Sequence, residues 1–426
     1  MSAKSRLILI ALLAVVLVVL PPFLGAGWQN AFNTMLIASL YALAFNLLAG
    51  QAGLLSFGHA AYFGVGSFAA LHLMMATENG LPLPTPLLPI AGAIAGLLIG
   101  LIAGWFSTMR SGVYFALVTL AIAEMFHSLA PHMKEVFGGE SGISGMRMPW
   151  AGVMFGSVLE VYYVTLAWVL LCTLLLWAYT RTPFGELTLA LRDNEQRVRF
   201  MGYNAHAAKT VIFAVSAMFS GVAGALQAVS NETANYAIFS SHVSAQVVLY
   251  TYVGGATLFF GPVFGAVAFS LFAFLVSDLT RSWLFYQGLI FVLVMLYAPT
   301  GIAGVITDHL RQRHSLNWRR LVGPYLTGAL GGVLIACGVV FLTETISILF
   351  GLDYANMRRL ADGALPDFAL FGLDWSPLSP MTWALPAGLL IVGLILIRRA
   401  VAKVAEEEDD GGQAKNADEI AMEGGA

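Results

Sequence analysis

From Leu87 to Phe106 the chain reads "LLPIAGAIAGLLIGLIAGWF", twenty residues with no charged side chain. A run of this length is what an α-helix needs to cross roughly 30 Å of hydrocarbon. Leu7 to Leu20, Val161 to Tyr179 and Thr210 to Val229 approach the same length. Their apolarity is continuous, whereas a membrane barrel would show short segments of alternating polarity, so the spanning element is a helix. Across 426 residues, 58% are hydrophobic and 11% charged, well outside the roughly 45–50% apolar content of soluble domains. The chain is therefore read as an all-α polytopic integral membrane protein surrounded by lipid, with no nucleic-acid partner expected.

Lys4 and Arg6 precede the first apolar run, but no small-x-small cleavage site follows cleanly, so the segment is read as a retained first span. Cys172 and Cys337 both lie inside apolar runs and read as small buried residues without a disulfide. The net charge of −3 owes much to the acidic stretch "AEEEDDGGQAKNADE", which reads as a disordered, solvated tail.

Basic residues set the orientation, because short loops rich in Lys and Arg stay cytoplasmic. Arg181, Arg192, Arg197, Arg199 and Lys209 fall in one such loop, Arg311, Arg313, Arg319 and Arg320 in a second, and Arg398, Arg399 and Lys403 in a third. The acid-rich stretches Ala130 to Glu160 and Thr343 to Pro380 are placed outside. Threading between these points predicts spans near 7–24, 29–48, 56–76, 86–107, 112–130, 161–180, 209–230, 241–259, 262–278, 284–300, 321–342 and 381–399. That is about ten core transmembrane or half-membrane helices plus about two extra C-terminal spans, with both termini cytoplasmic. The corresponding division is a core over 1–306, a basic cytoplasmic loop over 307–320, a C-terminal extension over 321–400 and the acidic tail over 401–426.

Within the first basic loop, Leu187, Leu191, Val198 and Met201 recur at helical spacing, with Arg192, Asp193, Glu195, Gln196, Arg197 and Arg199 around them. Thr182-Pro183 precedes this pattern and Gly202 suits the left-handed residue after a helix end. The spacing predicts one amphipathic rod over about 184–202, roughly 24 Å of it helical. Two uses fit such a rod: resting on lipid headgroups, or docking a soluble partner. The mixture of charge signs favours docking, since lipid-bound helices are usually biased towards Lys and Arg.

Five stretches, "NLLAGQAGLLSFGHAAYFGVGSFAA", "SGVYFALVTLAIAEM", "TPFGELTLALRDNEQRVRFMGYN", "FSGVAGALQA" and "VGGATLFFGPVFGAV", occur in this order. Together they resemble the M-type permease subunit of branched-chain amino-acid ABC importers, over about Phe32 to Ile306. The resemblance implies a bacterial inner-membrane importer. Its expected partners are a second, related permease subunit, two cytoplasmic ATPase subunits and a periplasmic solute-binding protein. The 184–202 rod resembles the coupling helix held by the ATPase, and Leu191, Arg192, Asn194, Glu195, Val198, Met201 and Gly202 carry that role over. Leucine-like amino acids are the first substrate class implied, with urea, short amides and hydrophobic carboxylates as alternatives.

What is missing agrees with this. There is no G-x-x-x-x-G-K-[ST] phosphate loop, nor any Gly-Lys pair, so ATP and Mg are expected in the partner subunits and no cofactor on this chain. No catalytic constellation and no metal-ligand cluster stands out among the scattered histidines. A stand-alone secondary transporter or channel is the alternative function, and an integral membrane enzyme a more remote one.

Glycine in a membrane helix permits close packing or breaks the helix where a pathway needs free backbone groups, and both uses fit "GQAGLLSFGHAAYFGVG" and "VGGATLFFGPVFGA". If these segments flank the translocation pathway, Gln51, Ser56 and His59 in the first and Thr251, Tyr252 and Thr257 in the second are its polar candidates. His59 equally suits a neutral imidazole satisfying its neighbours. Glu124 lies inside a predicted span and either accepts hydrogen bonds from a neighbouring helix or lines the path. The Gly-rich outer segment "VFGGESGISGMRMPW" resembles the external loop on which a binding protein docks. Residues beyond about Asn317 have no counterpart in the resemblance.

Overall fold

A computed structural model describes residues 15–312, 318–360 and 365–423, with side chains up to residue 307, from 322 to 360 and from 365 to 403. Residues 7–14 of the expected 7–24 span lie outside the described residues. The helices are α1 (Ala26–Asn46), α2 (His59–Glu78), α3 (Pro89–Ser107), α4 (Val113–Leu129), α5 (Val158–Thr180), α6 (Pro183–Asp193), α7 (Glu195–Phe200) and α8 (Ala205–Asn231). There follow α9 (Ser241–Gly254), α10 (Gly261–Val276), α11 (Trp283–Tyr297), α12 (Gly301–Gln312), α13 (Trp318–Leu349), α14 (Leu352–Leu360) and α15 (Pro380–Glu423). Among the described residues, strand content is two short antiparallel pairs, Ile143–Ser144 with Thr233–Ala234 and Phe368–Leu370 with Leu373–Trp375.

Among the described residues eight helices are long and apolar enough to cross a membrane. A ninth crossing results if Trp283–Tyr297 and Gly301–Thr307, bent by 43°, form one broken span. Of the about ten core transmembrane or half-membrane helices expected, two are of the shorter kind. Helix α9 has 14 residues and α10 has 16, about 21 and 24 Å at 1.5 Å per residue, so neither covers the hydrocarbon alone. They end early because Gly254, Gly255 and Gly261 bring the two helices together at a turn with Gly255 at φ +113°. The stretch expected as a basic loop from 307 begins as helix, since α12 runs to Gln312; residues 313–317 lie outside the described range.

The chain divides into two compact units, Met1–Asp278 with Tyr286–Asp308, and Leu279–Phe285 with His309–Ala426. In the first, α1 and α8 are the most enclosed spans. Helices α3 and α8 approach backbone to backbone because Gly92, Gly96 and Gly100 recur every fourth residue and face Gly221, Ala217 and Ala214. Without a hydrophobic drive between helices in lipid, such small-residue contacts supply the packing attraction. Asn33 Nδ2 donates to Ser230 Oγ at 2.7 Å and fastens α1 to α8. The exposed faces of α3 and α5 present Ile94, Leu98, Ile102, Leu170 and Leu174.

In the second unit α13 and α15 supply the two extra spans and pack through Gly331 and Gly393. A small core of Phe341, Tyr354, Phe368 and Leu370, with Trp375 against it, ties α14 and the strand pair to the end of α13. The expected disordered acidic tail is instead the continuation of α15 to Glu423. Its Ala, Glu, Gln and Lys are strong helix formers, and they outweigh the two glycines within it.

Candidate functional site

The charged segment between α5 and α8 is built by its caps. Thr182 accepts a hydrogen bond from the Gly185 amide at 3.2 Å and Pro183 follows at the first helical position. The single rod expected over 184–202 is corrected to two helices. Asn194 takes extended angles, φ −161° and ψ 100°, and its side chain caps α7 by accepting from the Arg197 amide at 3.0 Å. A short polar side chain that bonds its own backbone in this way competes with helix continuation. At the far end the Tyr203 amide reaches Val198 O and the Gly202 amide reaches Arg199 O, with Gly202 at φ +90°. This is a Schellman closure, and it uses the glycine as the sequence suggested.

Burial sorts the residues of this arm. Leu191 and Val198 are in the core, Leu187 is half-buried, and Met201, expected on the same stripe, is 56% exposed. Phe200 at 90% and Tyr203 at 55% join Met201 on an apolar outer face. Sequence reasoning passed over Phe200 and Tyr203, although the run "RFMGY" held the signal: three large apolar residues in a loop otherwise dense in charge.

Two charged residues of the arm are fastened inward. Arg192 Nη1 donates to Gly50 O at 2.6 Å, and its stem lies over Gly53, where an added Cβ would be 2.9 Å from Arg192 Cγ. Glu195 accepts from Arg199 at 2.5 Å and from Lys209, which is buried at the start of α8. Burial alone would raise the Glu195 carboxyl, but the hydrogen bonds and charges of Lys209 and Arg199 bring it below its ordinary value. With the folded value depressed, the stabilisation is complete above the unfolded Glu pKa of about 4.3 and is lost as pH falls through the folded value. In lipid nanodiscs, the protection of the Tyr203 amide against hydrogen exchange should therefore hold between about pH 7 and 5 and decline below about pH 4. In Glu195→Gln it should start lower and show no such decline; identical profiles in the two proteins would refute the role of this ion pair.

The Gly50 carbonyl that receives Arg192 belongs to a π-helical turn, Leu47–Gln51, in which α1 ends. Residues 52–58 then run without helix until α2 begins at His59. His59 is fully buried, with Nδ1 3.1 Å from Ser56 Oγ and Nε2 2.9 Å from Ser216 Oγ. Ser216 donates its own proton to Ala44 O at 2.6 Å, so Nε2 must be the imidazole donor and Nδ1 accepts from Ser56. His59 and Ser216 together thus join α1, α2 and α8. Around it, the Ala60 amide donates to Ser244 Oγ at 3.0 Å and the Phe57 amide to Thr119 Oγ1 at 3.1 Å.

The remaining candidates are spread more widely. Thr251 is buried and donates to Ala42 O at 3.4 Å, Tyr252 is half-buried, and Thr257 is exposed in the turn between α9 and α10. That turn adjoins the π-helical segment through Ala256 and Gly50, where Gln51 is half-buried. Ser56, His59 and Thr251 therefore belong to the packed interior against α1. Glu124 stands apart on α4, 4.0 Å from His127, with its side chain 45% exposed. No group of three or more potential metal ligands occurs among the described residues.

At the opposite end from the arm, Arg147 clamps the Gly-rich segment by pairing with Glu232 at 3.1 Å and donating to Val229 O at 3.0 Å. Gly138, Gly139 and Gly142 all have positive φ, the turn at Ala151-Gly152 is flanked by exposed Trp150 and Met154, and Met146 is exposed ahead of it.

Residues 28–299 match the family described as "Branched-chain amino acid transport system / permease component". The chain is 27% identical over 335 residues to the high-affinity branched-chain amino acid transport system permease protein LivM of Salmonella typhimurium, covering 73% of this chain and 77% of that protein. To the protein of the same name from Escherichia coli it is 26% identical over 339 residues, covering 74% and 78%. A probable branched-chain amino acid transport permease protein LivH from Methanocaldococcus jannaschii is 26% identical over 269 residues, covering 60% of this chain and 85% of its own. No solved structure matches. The family match takes in α1 to α11 and stops short of α12 and of the part of the second unit that begins at His309.

Proposed function

The chain belongs to the family of permease components of branched-chain amino-acid transport systems, and on that premise we propose that it is the membrane-spanning subunit of an ATP-driven importer. Its cargo is a branched-chain or similar hydrophobic amino acid delivered by a periplasmic binding protein. Two cytoplasmic ATPases hold the nucleotide and Mg, and a second permease subunit completes the route. In this reading the arm end of the molecule faces the cytoplasm of a bacterial inner membrane, with both termini on that side, and the Gly-rich segment faces the binding protein.

The observation that supports this best is the hydrogen bond from Arg192 to Gly50 O. A headgroup-resting helix needs no tie to the interior, whereas a lever does. The outer face of the arm, Phe200, Met201 and Tyr203, is offered to a partner cleft: exposed apolar surface marks a protein or membrane contact, and the inward tie of Arg192 favours the first. Behind it, Arg192 leads to the π-helical turn, and residues 52–58 lead on to Ser56 and His59. Movement of the ATPases acts on the outer face and reaches the interrupted segment through one side chain. Gln51, Tyr252 and Thr257 lie at the arm end of the route, and Glu124 lies on the open face of α4.

Isolation of the tagged chain from its native membrane in mild detergent should bring down a second permease and ATPase subunits. Phe200→Asp should reduce the recovered ATPase at least about tenfold, a loss of about 1.4 kcal/mol of contact, with the permease pairing unchanged. Isolation of the chain alone, or unchanged recovery with Phe200→Asp, would overturn the coupling assignment. Uptake that survives ATP depletion but collapses with an ion gradient would select a secondary transporter.

A further inference from the structure

We infer that Glu124, beside His127 whose ring packs against Tyr236, receives the ammonium group of the amino acid as it passes; the inference rests on the importer reading above. Its starting point is a contrast between helix faces. The exposed faces of α3 and α5 carry Ile94, Leu98, Leu101, Leu170, Leu174 and Leu175, as lipid contact requires. The exposed face of α4 carries Leu117, Ala121 and Met125, but Glu124 and Ser128 stand among them. Glu124 lies within the candidate span Val113–His132, and a carboxylate at that depth does not face hydrocarbon when an aqueous or protein surface is open to it.

The other side of α4 shows what that surface belongs to. Thr119 takes the Phe57 amide on its hydroxyl and closes against Gly58, where an added Cβ would be 2.7 Å from the Thr119 carbonyl carbon. Two turns further on, Phe126 stacks on Phe239 with ring centroids 5.6 Å apart. Helix α4 thus backs residues 52–58 and the short 3-10 turn Tyr236–Phe239 that leads into α9. Its outward face is the wall those stretches support.

The chemistry of the wall suits one charge sign. Glu124 offers two carboxylate oxygens with His127 4.0 Å away, and the His127 ring lies 5.5 Å from the Tyr236 ring. The carboxylate binds an alkylammonium by ion pairing, and a tyrosine ring one side chain away adds attraction to its quadrupole. The apolar neighbours Leu117 and Met125 suit the branched side chain of the same molecule. A free amino acid carries both groups, whereas urea and short amides lack the ammonium, so the site distinguishes among the substrate classes left open by the sequence.

The test has two arms, both in the assembled complex in membrane vesicles, on a Cys337→Ser background because Cys337 is exposed while Cys172 is buried. In the first, Ala121→Cys and Ser128→Cys are exposed to impermeant methanethiosulfonates of opposite charge. With Glu124 present the cationic reagent should react about tenfold faster relative to the anionic one, and Glu124→Gln should bring the ratio near unity. Cysteines inert to both reagents, or reactive without charge preference, would overturn the inference. In the second arm, Glu124→Gln should lower leucine uptake at least about tenfold, with Glu124→Asp recovering part of it. Normal uptake by Glu124→Gln at equal assembly would overturn the ammonium assignment even if the charge preference were confirmed. The thiol arm requires no uptake, so it decides the site even if unmodified complex fails to import leucine and the importer reading falls.

Discussion

Gly221→Leu is expected to leave almost no folded, monodisperse protein. Three helices meet at this residue. An added Cβ would fall well inside the van der Waals distance of the Gly92 carbonyl oxygen and lie 3.1 Å from Gly96 Cα, both on α3. From the α2 side, a Cβ on Gly66 would itself come within 2.5 Å of Gly221 Cα. What obstructs the new side chain is backbone on both neighbours, so no rotamer change makes room and whole helices must separate. Overpacking a core by single methylene groups costs about 1–3 kcal/mol, and a leucine here also breaks the α3–α8 contacts on either side of it. The sum is comparable with the ~5–15 kcal/mol that holds a typical domain folded. Gly288→Leu is the matched control, because nothing lies within 4 Å of a Cβ on Gly288, and such a site normally changes stability by under about 0.5 kcal/mol. Size-exclusion profiles of fluorescently tagged protein should separate the two variants. A Gly221→Leu profile like that of the unmodified chain would mean that the three-helix contact is not what holds this unit together.

The same glycines show what a sequence discloses and what it withholds. Apolar runs disclose spans because lipid imposes a length and a composition on any helix that crosses it, and α3, α5 and α8 appear where their runs were. "GQAGLLSFGHAAYFGVG" disclosed that something interrupts a helix there, but its glycines serve different ends. Gly50 sits in a π-helical turn, Gly58 lies against Thr119, and Gly66 lies against Gly221. Which glycine breaks and which packs depends on partners about 60 to 200 residues away, so periodicity alone could not sort them. The arm was legible as an amphipathic segment, but its break at Asn194 was not, because a local side-chain bond overrode the helical spacing on either side. The charges misled for a related reason. Arg192 and Glu195 read as outward residues, yet Arg192 found a carbonyl left over at the end of α1 and Glu195 found Lys209. Phe200 and Tyr203, which look like loop punctuation, are left exposed on the outer face of the arm.

That division of labour makes Arg192→Ala the variant expected to separate docking from transport. Its guanidinium satisfies a carbonyl in the π-helical turn, where the last acceptors of α1 lack intrahelical partners. A hydrogen bond to a charged donor is worth about 1.5–3 kcal/mol, and the exposure of Arg192 puts this one near the lower end. Since about 1.4 kcal/mol is tenfold in an equilibrium, losing it should lower substrate uptake at least about tenfold. Phe200, Met201 and Tyr203 are untouched, so ATPase subunits should still be recovered in normal amount. ATP hydrolysis should continue without transport. Arg192→Lys should recover only part of the uptake, because a compact ammonium on a shorter stem does not reproduce the reach and fixed fork of the guanidinium. Two results would contradict the strut. Normal uptake by Arg192→Ala would mean that force reaches the interior by the core contacts of Leu191 and Val198 alone. Loss of the ATPases together with uptake would mean that Arg192 serves the docking face and that its bond to Gly50 is incidental. The strut predicts neither, because a residue that carries motion between two bodies is needed for their coupling and not for their contact.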